Sequence, residues 1–149
     1  MLITQKKQYA LRAVFELAKH QGKGPVKSAR IAEIQAIPTR FLEVILSQLK
    51  RSGIVAAKRG YYGGYQLIPA PEELTVGGIF RFLDQSKSPE ECLSCETKKD
   101  CPFEGNCAFM PMWHEVQDAM NRIYDRTTIR QLIETEGQVQ MGEQFADGS

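Results

Sequence analysis

The chain has 149 residues, 42% of them hydrophobic and 25% charged, which suits one ordinary domain with a real core and room for a small appendage. No apolar run approaches the roughly 18 residues a membrane span needs, and Met1-Leu-Ile-Thr-Gln-Lys-Lys-Gln-Tyr9 lacks the apolar stretch of a signal peptide, so a cytoplasmic protein without membrane contact is expected. The formal net charge of +1 conceals an asymmetry, because residues 1–68 carry twelve Lys/Arg against three acids (Glu16, Glu33, Glu43) and residues 69–149 carry seven against fifteen, a split that points to nucleic acid as the partner of the first half.

Thr4 is placed to cap a first helix in which Tyr9, Ala10, Ala13, Val14, Leu17 and Ala18 recur at helical spacing, and Gln21-Gly-Lys-Gly-Pro25 ends it. Ser28 precedes a short helix, Ala29 to Gln35, with Ile31 and Ile34 inward. Ala36-Ile37-Pro38 makes a tight connection, and Thr39 is read as the cap of a third helix running to about Arg51, with Phe41, Leu42, Ile45, Leu46 and Leu49 as its buried stripe. Ser52-Gly53 stops it, since glycine takes the left-handed conformation that often ends a helix. Two short helices joined by a tight turn behind a first helix make a helix-turn-helix pattern. Ile54–Ala57 and Tyr65–Ile68 then read as strands around Lys58-Arg-Gly-Tyr-Tyr-Gly-Gly64, a β-hairpin wing closed by Pro69-Ala-Pro71. Thr75 caps a short helix carrying Val76, Ile79, Phe80 and Leu83, after which the chain loosens into a cysteine segment. A long helix follows from about Phe109 to Arg126, with Pro111 tolerated in its first turn. Its Met110, Trp113, Val116, Met120 and Ile123 form a narrow apolar seam, suited either to pairing with another helix or to packing on the chain's own core. Thr128-Ile-Arg-Gln131 is a capping-box pattern opening a last helix with Ile129, Leu132 and Ile133 apolar, and the tail frays from Gly137.

If the third helix enters a major groove, Arg40, Glu43, Val44, Ser47 and Gln48 remain outside its stripe. Arg40 would read guanine or bind phosphate, Glu43 would accept from a cytosine amino group, and Ser47 would contact phosphate. In the wing, Lys58, Arg59 and Tyr61 share a tip with Gly60, Gly63 and Gly64, whose small size permits close approach to a sugar–phosphate chain in a minor groove. Two bland alternatives stand beside these readings: the basic and acidic halves attract each other within the fold, and the wing's cations keep a sheet edge soluble.

All four cysteines, Cys92, Cys95, Cys101 and Cys107, fall within sixteen positions. A disulfide knot is disfavoured in a reducing compartment. Thiolates suit structural zinc and an iron–sulfur cluster alike, and spacing does not decide between them. A thiol oxidoreductase built on Cys92-Leu-Ser-Cys95 would need a thioredoxin-like βαβ context, which the pattern of elements does not supply. A zinc-stapled adaptor that binds protein is a further reading, against which the charge split and the wing both argue.

Met1-Leu-Ile-Thr4 with Tyr9-Ala10, Phe41-Leu-Glu-Val-Ile-Leu46, Leu49-Lys-Arg-Ser-Gly-Ile-Val55, Arg59-Gly-Tyr-Tyr-Gly-Gly-Tyr65-Gln-Leu67, the cysteine segment and Trp113 carry a resemblance. Over about residues 1 to 134 the chain resembles the Rrf-type winged helix-turn-helix transcription regulators, in their cysteine-containing IscR- and NsrR-like branch; the CymR-like branch, which lacks such cysteines, fits poorly. The resemblance implies a homodimer whose long C-terminal helices cross, each protomer addressing half of a palindromic operator in double-stranded DNA. Thr39, Arg40, Glu43, Arg59 and Gly60 stand at the family's DNA-contacting positions. It also implies an iron–sulfur cluster, 2Fe-2S or 4Fe-4S, on Cys95, Cys101 and Cys107, which have the family's Cys-x5-Cys-x5-Cys spacing, with zinc as the alternative. The familiar fourth ligands are missing: Met110 stands where one branch has a histidine, and Gln8 where another has an aspartate that serves the partner protomer. Cys92 is therefore expected to complete a four-thiolate site, with His114 read as a helix-surface residue. The implied function is that of a transcriptional regulator, not an enzyme, whose operator affinity follows redox, nitric oxide or iron–sulfur status. The expected fold is mainly α with a small β-hairpin wing. Its parts are a winged helix-turn-helix domain (1–84), a cluster-binding loop (85–108), a dimerisation helix and C-terminal helix (109–136), and a flexible tail (137–149).

Overall fold

The structure, a computed structural model, describes residues 3–84, 101–103 and 105–146, with side chains as far as residue 142. The Thr4 hydroxyl accepts a hydrogen bond from the Lys7 amide at 3.3 Å and opens helix α1 (Gln5–Lys19). Ala10, Ala13, Val14, Leu17 and Ala18 line its buried face at the spacing a helix requires. Helices α2 (Ser28–Gln35) and α3 (Thr39–Arg51) follow, joined through Ala36 in the left-handed conformation (φ 52°), the buried Ile37 and Pro38. Lys27 and Pro38 hold the cap positions of α2 and α3, and neither makes a side-chain cap bond, so Thr39 is the first helical residue rather than a cap.

Two apolar residues expected inside lie outside. Ile34 is 39% exposed and Phe41 58% exposed. The buried face of α2 is centred between Ile31 and Ala32, which leaves Ile34 roughly 110° round the helix. On α3, Leu42, Ile45, Leu46 and Leu49 already complete the stripe, and Phe41 lies about 90° from its centre. Phe41 leans on Tyr9 instead, with ring centroids 6.3 Å apart.

Strands β1 (Val55–Lys58) and β2 (Gly64–Leu67) pair antiparallel, Val55 opposite Leu67 and Lys58 opposite Gly64, so the tip begins one residue later than the sequence suggested. Val26 bonds both ways with Tyr65 (2.9 and 2.8 Å), tying the hairpin to the chain that enters α2. At the tip a Cβ on Gly63 would run into the Lys58 carbonyl, and one on Gly64 into the Val26 backbone.

Thr75 accepts from the Gly78 amide at 3.0 Å and starts α4 (Val76–Leu83). Helices α5 (Met110–Arg126) and α6 (Ile129–Ala146) complete the chain. The expected capping box is reciprocal: the Gln131 amide donates to the Thr128 hydroxyl (3.2 Å) and the Thr128 amide to the Gln131 side-chain carbonyl (3.0 Å). The α5–α6 corner is fastened to the start of α4. The Val76 amide donates to the Thr127 carbonyl (3.0 Å), the Ile129 amide to that of Leu74 (2.9 Å), and Phe80 meets Tyr124 edge-on at 5.0 Å. Gly77 lets the two helices come this close, since a Cβ there would strike the Asp125 carboxylate. Rather than fraying at Gly137, α6 continues as helix to Ala146.

The core joins α1, α3 and α4 with Val26, Val55, Leu67 and Ile129. Glu16, only 2% exposed, is the one buried charged residue among those described. Its carboxylate accepts from Gln35 Nε2 (2.8 Å) and pairs with Lys19 (3.2 Å), which also reaches Glu136 of α6 (3.3 Å). Helix α5 buries none of its residues. Val116 and Ile123 of its seam are 39% and 50% exposed, so the seam does not pack into the protomer's own core. No helix among the described residues is long and apolar enough to cross a membrane.

Candidate nucleic-acid interface

The amphipathic stripe of α3 decides what faces outward. At about 100° per residue, Arg40, Val44, Ser47 and Arg51 straddle the point opposite the buried stripe, with Glu43 on one flank and Gln48 on the other. These six side chains line one shallow, open concavity. The chain leaves α3 through Ser52–Gly53 directly into the wing: the Ser52 hydroxyl donates to the Leu49 carbonyl at 2.6 Å and the Ile54 amide to the same carbonyl at 3.2 Å. Recognition helix and wing are therefore one turn of chain apart.

The wing ends in a small turn closed by the Gly63 amide donating to the Gly60 carbonyl (3.0 Å), with Gly60 in the left-handed region (φ 106°). Arg59, Gly60, Tyr61 and Tyr62 lie on the exposed turn, and Lys58 ends β1 beside it. Tyr61 and Tyr62 meet edge-on at 5.0 Å and remain 81% and 84% exposed. Lys27, at the start of α2, sets its ammonium 5.1 Å from the Tyr61 ring centroid, a cation–π contact that adds a positive charge to the base of the tip.

The distribution of ion pairs separates two kinds of cation. Lys7 pairs with Asp84, Lys19 with Glu16 and Glu136, Arg81 with Asp125, and Arg130 with Glu72 around α4, α5 and α6, while Arg30 pairs with Glu33 within α2. Among the described residues, Arg40, Lys50, Arg51, Lys58 and Arg59 have no carboxylate partner, and all five are exposed; Lys6, Arg12, Lys23 and Lys27 elsewhere in the basic half, and Arg122 and Arg126 on α5, are exposed without one as well. Attraction between the two halves thus accounts for Lys7 and Lys19, and leaves the cations of α3 and the wing uncompensated. A cluster of unpaired exposed cations repels itself unless an anion is bound, and a phosphate backbone is such an anion.

Every residue proposed to touch DNA is exposed on α3 or the wing: Thr39, Arg40, Glu43 and Ser47 on the helix, Lys58, Arg59, Gly60 and Tyr61 on the hairpin. Three were missed. Arg51 lies on the face of Arg40 three turns on, and extending the helical count by one turn would have found it. Tyr62 was legible as half of an aromatic pair. Lys27 reaches Tyr61 across a turn, and nothing in its local sequence signals that.

Of the four cysteines, Cys92 and Cys95 fall outside the described residues. Cys101 and Cys107 are free thiols, both partly exposed. The Cys107 carbonyl accepts from the Met110 amide at 3.2 Å, so this cysteine stands in the turn from which α5 starts. A partly exposed thiol beside a helix start is chemically fit to serve as a thiolate ligand, and the other three cysteines precede it by at most fifteen residues. His114 is exposed on α5.

Comparison with known proteins agrees with this geometry. The Rrf2 family model, described as an iron-dependent transcriptional regulator, matches residues 3–135. The chain is 31% identical to the HTH-type transcriptional regulator IscR of Erwinia tasmaniensis over 133 residues, covering 89% of this chain and 79% of that one. It is 35% identical to the HTH-type transcriptional regulator CymR of Bacillus subtilis over 132 residues, 89% of each chain. The solved structure of T. potens IscR superposes with a TM-score of 0.76 at 28% identity, covering 94% of this chain and 91% of that one. Overall similarity thus draws in CymR as readily as IscR, and the expectation that the CymR-like branch fits poorly rests on the cysteines alone.

Proposed function

The chain belongs to the Rrf2 family and is a DNA-binding transcriptional regulator, not an enzyme, and from that premise we propose that it works as a homodimer on a palindromic operator under the control of an iron–sulfur cluster. Each protomer sets α3 in a major groove and its wing in the flanking minor groove. The observation that carries the DNA reading is the set of exposed cations on α3 and the wing without carboxylate partners. Arg40 reads guanine or holds phosphate, Glu43 accepts from a cytosine amino group, and Thr39 and Ser47 meet the backbone. Arg59 and Lys58 neutralise phosphates along the minor groove, with Gly60 and Tyr61 forming the surface that enters it. The uncovered seam of α5 supports the dimer.

Cys92, Cys95, Cys101 and Cys107 would hold the cluster, which when bound supplies a centre sensitive to redox state and nitric oxide. The chain's own contribution is mechanical. Because the Cys107 carbonyl receives the Met110 amide, whatever fixes the Cys107 thiolate also fixes the first turn of α5 and with it the spacing of the two recognition helices. Protein purified anaerobically is expected to be brown and to contain iron and sulfide. A colourless protein with one zinc per chain would replace the cluster by a structural zinc and leave a zinc-stapled regulator. Binding to promoter fragments is expected to weaken steeply with salt. Arg59→Ala should lower affinity without unfolding the protein, and unchanged binding would remove the wing from the interface.

A further inference from the structure

Val44 and Gln48 stand one turn apart on the outward side of α3, and neither belongs to the buried stripe. Val44 leaves 58% of its surface in water. It is the only apolar side chain in the concavity, among Arg40, Glu43, Ser47, Gln48 and Arg51. A β-branched residue gains nothing there from helix propensity and nothing from core packing. Gln48 shows a complementary defect: its Oε1 is shut away from solvent and has no hydrogen-bond partner among the described residues. An acceptor so placed costs free energy, and the cost is recovered if the amide turns outward to a partner.

The major-groove edge of an A·T pair offers what both residues lack. Adenine presents an N6 donor beside an N7 acceptor, which a glutamine amide matches with both of its groups, and thymine presents a methyl group for an apolar side chain. A G·C pair has no methyl group. Residues four apart on a helix are neighbours, so the two side chains can address one base pair or adjacent ones. We propose that Val44 and Gln48 are specificity-determining residues that read an A·T element in each half-site, Val44 covering the thymine methyl group and Gln48 pairing with adenine N6 and N7. The proposal rests on the DNA-binding reading above. It adds an A·T requirement to the G·C contacts available to Arg40 and Glu43.

The test starts from duplexes that the wild-type protein selects from a random-sequence library, which should carry an A·T pair at a fixed place in each half-site. Replacing each thymine in turn by deoxyuridine removes only the methyl group. One thymine per half-site should then show about a fourfold loss of affinity, the factor for one methyl group left uncovered. Val44→Ala should bind the thymine duplex more weakly and show no further loss with deoxyuridine, and Gln48→Ala should lose the adenine contribution and distinguish A·T from G·C at that place only by the roughly fourfold factor of the thymine methyl group. Both side chains lie outside the core, and circular dichroism checks that both variants fold. Selected sites without a shared A·T pair, a deoxyuridine scan that leaves the wild type unchanged, or the full penalty persisting in Val44→Ala would overturn the proposal while leaving DNA binding intact. A selection that enriches no sequence would overturn sequence-specific binding and this proposal with it.

Discussion

Glu16 is an acid in the middle of a helix otherwise buried through small and aliphatic side chains, and the pattern of apolar spacing gave no reason to place it inside. It survives burial because Gln35 donates to it and Lys19 pairs with it, and Lys19 in turn reaches Glu136. Gln35 is the last residue of α2, next to the left-handed Ala36 that starts the turn into the recognition helix. Removing the carboxylate in Glu16→Ala leaves the Gln35 amide without its acceptor and should cost about 1–3 kcal/mol, read as a lower midpoint in urea unfolding; an unchanged midpoint would show that the bonds do not hold the turn. Gly63 poses a different residue-scale problem. Its missing Cβ makes room for the Lys58 carbonyl, a backbone atom that cannot swing aside. Gly63→Ala is therefore expected to open the wing tip and weaken DNA binding at least as much as Arg59→Ala, with the helical circular dichroism spectrum retained. The glycine-rich run made the hairpin legible, but which glycine is indispensable depends on an approach across the turn that composition does not record.

At the scale of elements, what the sequence revealed was what short-range spacing controls. Caps at Thr4 and Thr75, the capping box at Thr128 and the four-leucine-and-isoleucine stripe of α3 all involve residues within one or two turns of each other, and all appear in the structure. Ile34 and Phe41 were misplaced because each extends a stripe by one residue, and only the packing of neighbouring helices decides where a stripe ends. The continuation of α6 past Gly137 was hidden for a related reason, since glycine lowers helix propensity without forbidding a helix. The anchoring of α6 was invisible too, because Arg130 pairs with Glu72 at 2.7 Å across 58 residues. The Glu72 carboxyl is held below the usual carboxylate range, first by a backbone N–H bond at its own position and then by the Arg130 guanidinium. A lowered folded value means that this stabilisation is present above the ordinary carboxylate range and is lost as pH falls through the lowered value. In an NMR titration Arg130→Ala should move the Glu72 midpoint upward only part of the way, because the backbone bond remains. Full return to the ordinary value would assign the whole effect to the ion pair.

At the scale of the molecule, the two ends of the chain answer different needs. The basic half shares one buried core with α4 and Ile129 and presents cations outward, whereas α5 buries nothing and carries a seam with Val116 and Ile123 open to water. Exposed apolar residues repeating along one helix form a continuous strip that another helix can cover, and a second copy is the partner that the proposed palindromic operator would require. The fold also makes the strip testable. Ile123 is half-exposed in the protomer, so Ile123→Glu should not disturb the core, yet it would put a charge into a paired seam at a cost that pairing cannot offset. The variant is expected to sediment as a 16.8 kDa monomer with an unchanged circular dichroism spectrum, and the wild type at twice that mass. A monomer still owns one recognition helix and one wing, so it should retain salt-sensitive binding to a single half-site. It would lose the gain from engaging both halves at once, a factor on the order of 10² or more. An Ile123→Glu protein that remains dimeric would move the interface off this face of α5, and with it the mechanical link by which the Cys107 turn is proposed to set the distance between recognition helices.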